Sequence, residues 1–296
     1  MDRKLRRSRR IRTGAAAMTV ALVALVGCSS ESESIFADKV NVGVKGDQPG
    51  TSFLYRDGDF RGFDVTVVKD VLNDVGVEKP LLRGVLSRDR VPALQDGDVE
   101  IVASTFSITP NRMKPQSKAG GEGGLDFVGP YASTHQGMLV REGDIGEYKK
   151  IKDFNKKIVC VWEGTTSEDL LATPAYEDIK RITAANADEC IEGLKDGDFD
   201  AVSTDRLILY GFAKEYPELS VVKDLRIGQP NKYGIAMKKG HREDCKELKK
   251  VLLKYVRGDR WGRAFDEYLP SEVREESRPT PSEIEQQSCV DKPGGP

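Results

Sequence analysis

Apolar positions along the chain switch between two periods, and the switches mark out an alternating α/β order. Residues 40–45 (VNVGVK) alternate as a strand does, with a Gly/Pro loop over 46–50 at its carboxyl end. A hairpin-like segment over 53–63 turns at Asp57-Gly58, and Asp64 is placed to cap a helix. Val65, Val68, Val71, Leu72 and Val75 share one face of that helix, and Gly76 ends it. A short helix up to Gln95, an Asp-Gly-Asp stop and an apolar strand through Val102 complete a β-α-β-α-β run, the pattern of a largely parallel, twisted sheet. The same grammar returns one hundred residues on. LQDGDVEIV, ending at Val102, is echoed by LKDGDFDAV, ending at Val202. Each reads as a helix end, a left-handed Gly cap and a buried strand.

Between and after these repeats the pattern predicts strands at 137–141, 156–162, 181–184, 200–203 and 233–237, and helices over 187–195, 206–216, 242–257 and 261–268. Thr165 and Glu168 fit a capping box that opens another helix. Two α/β lobes follow, with candidate crossings at residues 132–136 and 229–232. Residues 113–124 (MKPQSKAGGEGG) read as a flexible loop. Beyond Ser271 the chain turns Pro/Ser/Glu-rich, and residues 271–296 are expected to be a mostly disordered tail.

The N-terminus changes the picture of charge. Seven Lys and Arg within the first twelve residues precede an uncharged stretch from Gly14 to Gly27 that is short for a membrane span. That is an export signal over 1–27. It ends Leu25-Val26-Gly27-Cys28, in the manner of a lipobox, followed by a polar tether over 28–37. Cys28 is therefore the expected lipidation site. Cleavage moves the formal charge from −2 (46 basic, 48 acidic) to −8 (39 and 47), because seven basic residues and one acidic residue leave with the leader. The mature chain is acidic, and the basic leader is no nucleic-acid patch.

Export makes Cys160, Cys190, Cys245 and Cys289 candidates for disulfides, with three possible connectivities. Pairing Cys160–Cys190 within the second lobe and Cys245–Cys289 across the tail is favoured. The spacings match no metal signature, so no metal and no cofactor is expected.

The candidate chemistry collects at strand ends. Ser104 to Ser107 is polar, Thr109-Pro110 looks like a helix N-cap and first turn, and Arg112 would sit where free N–H groups already make the field positive. A cation there fits best if an anion joins it, as a carboxylate would. The second repeat ends in Ser203-Thr204-Asp205. Polar groups at the carboxyl ends of strands in two lobes imply a cleft between them. The plainer readings are a solvated surface Arg112, an Asp205 that merely caps a helix, and an Arg90 paired with Asp89.

In order along the chain, Asp47-Gln48-Pro49-Gly50, Gly62-Phe63-Asp64, Ser104 to Arg112, Asp126-Phe127 with Gly129-Pro130-Tyr131, Gly164-Thr165, Thr204-Asp205, Tyr233-Gly234-Ile235 and Trp261 resemble the family 3 extracellular solute-binding proteins. These are the polar amino acid receptors of ABC importers. The chain looks most similar to the glutamate-binding lipoproteins among them, over about residues 38 to 270. The resemblance implies an α/β, two-lobed periplasmic-binding-protein fold with two hinge crossings (type II). Lobe 1 would be 38–132 plus 232–270, and lobe 2 would be 137–228. It also implies no enzymatic activity, an amino acid ligand (glutamate or aspartate, then glutamine), and a membrane-embedded ABC permease as partner. The expected receptor is a lipid-anchored monomer at the outer face of the cytoplasmic membrane.

By the same resemblance Arg112 holds the ligand α-carboxylate with help from Ser107, Gly164 and Thr165, Asp205 takes the α-ammonium, and Thr105 is a further ligand-binding position. Ser87, Arg90 and Lys45 would meet a distal carboxylate, and Asp47 would be a pocket wall. Trp162 and Glu163 depart from the family pattern, which has small or hydroxylated residues there. Trp162 would roof the pocket, and Glu163 would either face an acidic ligand or serve as the acid/base of a cyclohexadienyl-dehydratase-like enzyme. A ligand sensor on the same fold is the other alternative.

Overall fold

A computed structural model describes residues 33–36, 39–114 and 124–292. The leader, Cys28, most of the tether and residues 115–123 of the expected flexible loop lie outside the described residues. The strands are β1 (Asn41–Val44), β2 (Asp47–Gln48), β3 (Ser52–Leu54), β4 (Phe60–Arg61), β5 (Leu81–Gly84), β6 (Ile101–Val102), β7 (Leu125–Arg141), β8 (Ile158–Trp162), β9 (Lys180–Ala184), β10 (Ala201–Asp205), β11 (Leu219–Val221) and β12 (Ile227–Lys238). The large sheet runs β5-β1-β6-β12-β7-β10-β8-β9, with β11 on the side of β7.

The sheet is less parallel than the pattern suggests. β5, β1 and β6 are parallel, as are β10, β8 and β9, but β12 and β7 run antiparallel to their neighbours and to each other. The reason is length. At 17 and 12 residues, β7 and β12 serve both halves of the sheet. Residues 132–136 and 229–232, the candidate crossings, are strand. They lie within these two strands, where Ala132 faces Tyr233 and Thr134 faces Asn231.

Each repeat folds as read. Gly97 and Gly197 both end a helix in the left-handed region (φ 81° and 87°) and release the chain into β6 and β10. Alternation along β8 separates two small cores. Val159 and Val161 pack with Met138 and Phe154, whereas Cys160 and Trp162 pack with Ile191, Val202 and Leu209. The first half keeps its main core around Val42, Val68, Leu72, Leu248, Trp261 and Phe265. The disulfides are Cys160–Cys190 and Cys245–Cys289, the pairing favoured from the sequence.

Two local expectations fail. Asp64 does not cap its helix, which starts one residue earlier, at Phe63. Its carboxylate instead accepts from the Thr105 backbone N–H at 2.6 Å. The tail is not disordered over its described part. Helices Arg274–Ser277 and Pro281–Gln287 form, the second opened by a Thr280/Glu283 capping box with Pro281 at its first position. Ile284 is fully buried, Ser288 Oγ bonds both the N–H and the carbonyl of Gly129 at 2.9 Å, and Cys289 is bridged to Cys245. Composition suggested disorder, but a cap, a buried apolar residue and a covalent tie outweigh it.

Candidate functional site

Strand ends from both halves meet at one small cavity. Its walls are Gln48, Ser87, Arg90, Thr105, Ser107 and Arg112 from one side, and Trp162, Thr165, Thr166, Thr204, Asp205 and Ile208 from the other. It encloses about 10 Å³ of free space, room for a single water-sized sphere. The halves therefore stand closed on each other, and a larger occupant requires them to part.

Two guanidiniums dominate the first side. Thr109 caps the helix Pro110–Met113 by accepting from the Arg112 N–H, and this fixes Arg112 at the rim of the strand end. Its guanidinium donates to Ser107 O at 2.7 Å and to Gly164 O at 3.1 Å. Arg90 is no surface residue paired with Asp89. It is 3% exposed and donates to Ser87 O, Ser104 O and, across the cleft, Gly164 O at 2.8–3.0 Å. Both cations lie 4.4 Å from the centre of the Phe106 ring, an aromatic contact that partly compensates their desolvation. Burial first, then the charge of Arg112, lowers the Arg90 pKa to about 9.

The opposite side supplies the anion. Asp205 starts the helix Arg206–Glu215 but makes no side-chain cap. Its carboxylate accepts from Asn231 Nδ2 at 2.5 Å and Tyr233 Oη at 2.8 Å, both on β12. Burial raises its pKa to about 6, against the pull of those hydrogen bonds and of Arg90 and Arg112. Thr165 is a genuine cap, accepting from Glu168 N–H and donating to Trp162 O. The reciprocal half of the expected capping box goes elsewhere, since Glu168 accepts from Gly164 N–H. Gly164 has φ +74°, and a Cβ there would stand 2.6 Å from Arg88 Cα, so only glycine permits this approach of the two halves.

Three expected site residues lie behind the wall. Lys45 is fully buried, 3.3 Å from Ser87 Oγ and 3.2 Å from Asp47, and burial lowers its pKa. Asp47 accepts from the Ala187 N–H at 3.3 Å, another tie across the cleft. Gly164 contributes its carbonyl to the guanidiniums rather than an N–H to the cavity. Glu163 is not part of the cavity wall. It is half exposed and forms an ion pair with Arg88. Phe106, Gln48, Thr166, Tyr233 and Asn231 were not anticipated. Gln48 and Tyr233 stand in the segments that carry the family resemblance, and Phe106 is the single aromatic inside the polar run from Ser104 to Ser107.

Volume alone would point elsewhere. A cavity of about 830 Å³ is lined by His135, Arg206, Pro230, Lys232, Glu276 and Glu283, among others. Its charges are spent on protein partners, Lys232 on Glu283 and Glu276 on Arg226. The small cavity is where two cations and a carboxylate converge. Among the described residues no helix is long and apolar enough to cross a membrane.

Residues 40–271 match the model of the bacterial extracellular solute-binding proteins, family 3. The chain belongs to that family. It is similar to the glutamate-binding protein GluB of Corynebacterium glutamicum, 31% identical over 287 residues that cover 90% of this chain and 92% of that protein. It is also similar to the ABC transporter glutamine-binding protein GlnH of Bacillus subtilis, 30% identical with coverages of 80% and 84%. Among solved structures, an ancestral arginine-binding protein bound to glutamine matches with a TM-score of 0.69 at 27% identity, covering 78% of this chain and 98% of that one. The family and these neighbours agree with the two-lobed α/β architecture.

Proposed function

We propose that this solute-binding protein is the receptor of an ABC-type amino acid importer and that its ligand is glutamate or aspartate, with glutamine next. The observation that carries the reading is the charge set of the small cavity. Arg112 and Arg90 from one lobe face Asp205 from the other. Two cations and one anion complement a ligand with two carboxylates and one ammonium, and glutamine would leave one cation without a charged partner. In this arrangement Arg112 takes the α-carboxylate, Asp205 the α-ammonium and Arg90 the distal carboxylate. Similarity to GluB supports the acidic ligand, and similarity to GlnH supports the second place of glutamine.

Closure follows from the same contacts. The loop carrying Phe106, Ser107 and Ile108 pairs with β12, by Gly234 N–H to Phe106 O and Ile108 N–H to Lys232 O. A ligand that draws Asp205 toward Arg112 therefore acts directly on a strand shared by both lobes. Lipidation at Cys28 would hold the receptor, as a monomer, at the outer face of the cytoplasmic membrane beside its permease. Titration calorimetry of the purified protein against the twenty amino acids tests the assignment. Glutamate or aspartate should bind tightest. A clear preference for a cationic or apolar amino acid would reject it.

A further inference from the structure

We propose that Trp162 is the residue that selects the ligand's side chain. Its indole Nε1–H donates to an oxygen at the side-chain terminus, so the cavity takes amino acids ending in a carboxylate or amide oxygen and rejects those ending only in donors. This rests on the reading of the cavity as an amino acid site and adds to it a specific contact that the acidic-ligand reading does not require.

Trp162 is the last residue of β8, it is 1% exposed, and it forms part of the cavity wall. Its backbone is held on two sides, by register with Ala184 on β9 and by the hydrogen bond from Thr165 Oγ1 to its carbonyl at 2.7 Å. Its ring packs in the core formed with Ile191, Ile208 and Phe212. The Nε1–H nevertheless has neither solvent nor an acceptor. Indole nitrogen only donates, and a buried donor without an acceptor is a standing free-energy cost that folded proteins rarely keep without a use. The chain's other tryptophan shows the ordinary solution, since Trp261 Nε1 donates to Tyr131 O at 2.7 Å.

The position suits the task. Trp162 stands two residues before Gly164, whose carbonyl takes both guanidiniums. With the α-groups of the ligand on Arg112 and Asp205, the charged and indole groups left for the far end, beside the Gln48 amide and the wall hydroxyls, are Arg90 and Trp162. Both are donors. An arginine or lysine side chain would meet two groups of its own kind, whereas a carboxylate or amide oxygen satisfies them.

Two indole signals in a ¹H–¹⁵N spectrum of the purified protein give the readout, because Trp261 is already hydrogen-bonded and serves as the internal reference. Glutamate should move the Trp162 indole signal downfield and leave that of Trp261 in place. In Trp162→Phe, and in an isosteric variant with 3-benzothienylalanine at 162 that lacks the N–H, glutamate affinity should fall about tenfold. In the isostere the loss for norvaline, which has no side-chain acceptor, should be much smaller than the loss for glutamate. The isostere keeps the ring volume, so it separates the lost donor from lost packing. Glutamate binding with an unmoved Trp162 signal, or equal losses for glutamate and norvaline in the isostere, overturns the role of Trp162 alone. Absence of binding by every amino acid overturns the site reading and this inference with it.

Discussion

The two lobes use one scaffold to present opposite charge. Each runs helix, left-handed glycine, short buried strand and polar strand end, with Gly97 leading to β6 and Gly197 to β10. After β6 the chain continues into Thr105, Phe106, Ser107 and the capped turn of Arg112, and it gathers Arg90 from the preceding helix. After β10 it goes at once into a helix, leaving Asp205 as the only charged group, among the described residues, that this lobe contributes to the cavity wall. The scaffold sets where a strand ends. The few residues beyond it set which charge is offered. Hence a cleft for a dipolar ligand can arise from two like units.

The asymmetry can be broken most strongly at Arg112. Truncating one partner of a buried charged hydrogen bond costs about 2–5 kcal/mol, so Arg112→Ala should weaken every amino acid by roughly 30-fold to several thousand-fold in calorimetry. Undiminished binding would remove Arg112 from the site.

Asp205→Asn comes next, and it tests the sign of the pH dependence. Burial raises the Asp205 pKa to about 6. The folded protein therefore favours the protonated carboxyl, and its contribution to stability is largest below about pH 4 and is lost as pH rises through 6. An ammonium ligand needs the ionised form, so wild-type affinity should rise with pH up to about 6 and then level off. Asp205→Asn should weaken binding by about a hundredfold and flatten that profile, since only the neutral side chain remains. A variant that keeps the acid-side fall would assign it to another group.

Arg90→Ala should cost roughly tenfold more for glutamate than for glutamine. It should also lower the melting temperature by several degrees, because the Ser104 and Gly164 carbonyls lose a charged donor worth about 1.5–3 kcal/mol. Equal loss for both ligands would make Arg90 a brace rather than a selector. The smallest effect is expected at the exposed Arg88–Glu163 pair. Glu163→Gln should change affinity by about twofold or less, and less still at high salt. A large loss of acidic-ligand binding would show that Glu163 acts inside the cleft after all.

Legibility differed between local and long-range features. The Thr109 cap with Pro110 behind it, the glycine stops and the strand periods are contacts among near neighbours, and they could be read directly. Arg112 and Asp205 were legible as charged residues at two strand ends, but each also had a plainer reading, a solvated surface Arg and a helix cap, and only their shared place in the cavity wall sets those readings aside. Arg90 was ambiguous, since a helix residue next to Asp89 looks solvated until Gly164, 74 residues away, is placed over it. The tail departs from expectation because composition does not report the burial of Ile284 or the socket at Gly129 that receives Ser288, although the tie from Cys289 to Cys245 was legible. Lys45 and Glu163 illustrate the same limit, because whether a charge faces the cavity, a neighbour or solvent depends on elements distant in sequence.

Short-range order, the repeat of one α/β unit and the placing of polar and charged residues at two strand ends were determined by the sequence itself, because they depend on periodicity, capping and charge within a few residues. The tertiary structure alone decided that β7 and β12 run unbroken through both halves, that Gly164 closes onto Arg88, and that two guanidiniums share Phe106 opposite Asp205. Those outcomes rest on which surfaces exclude water together, and burial of that kind couples residues that no local pattern links.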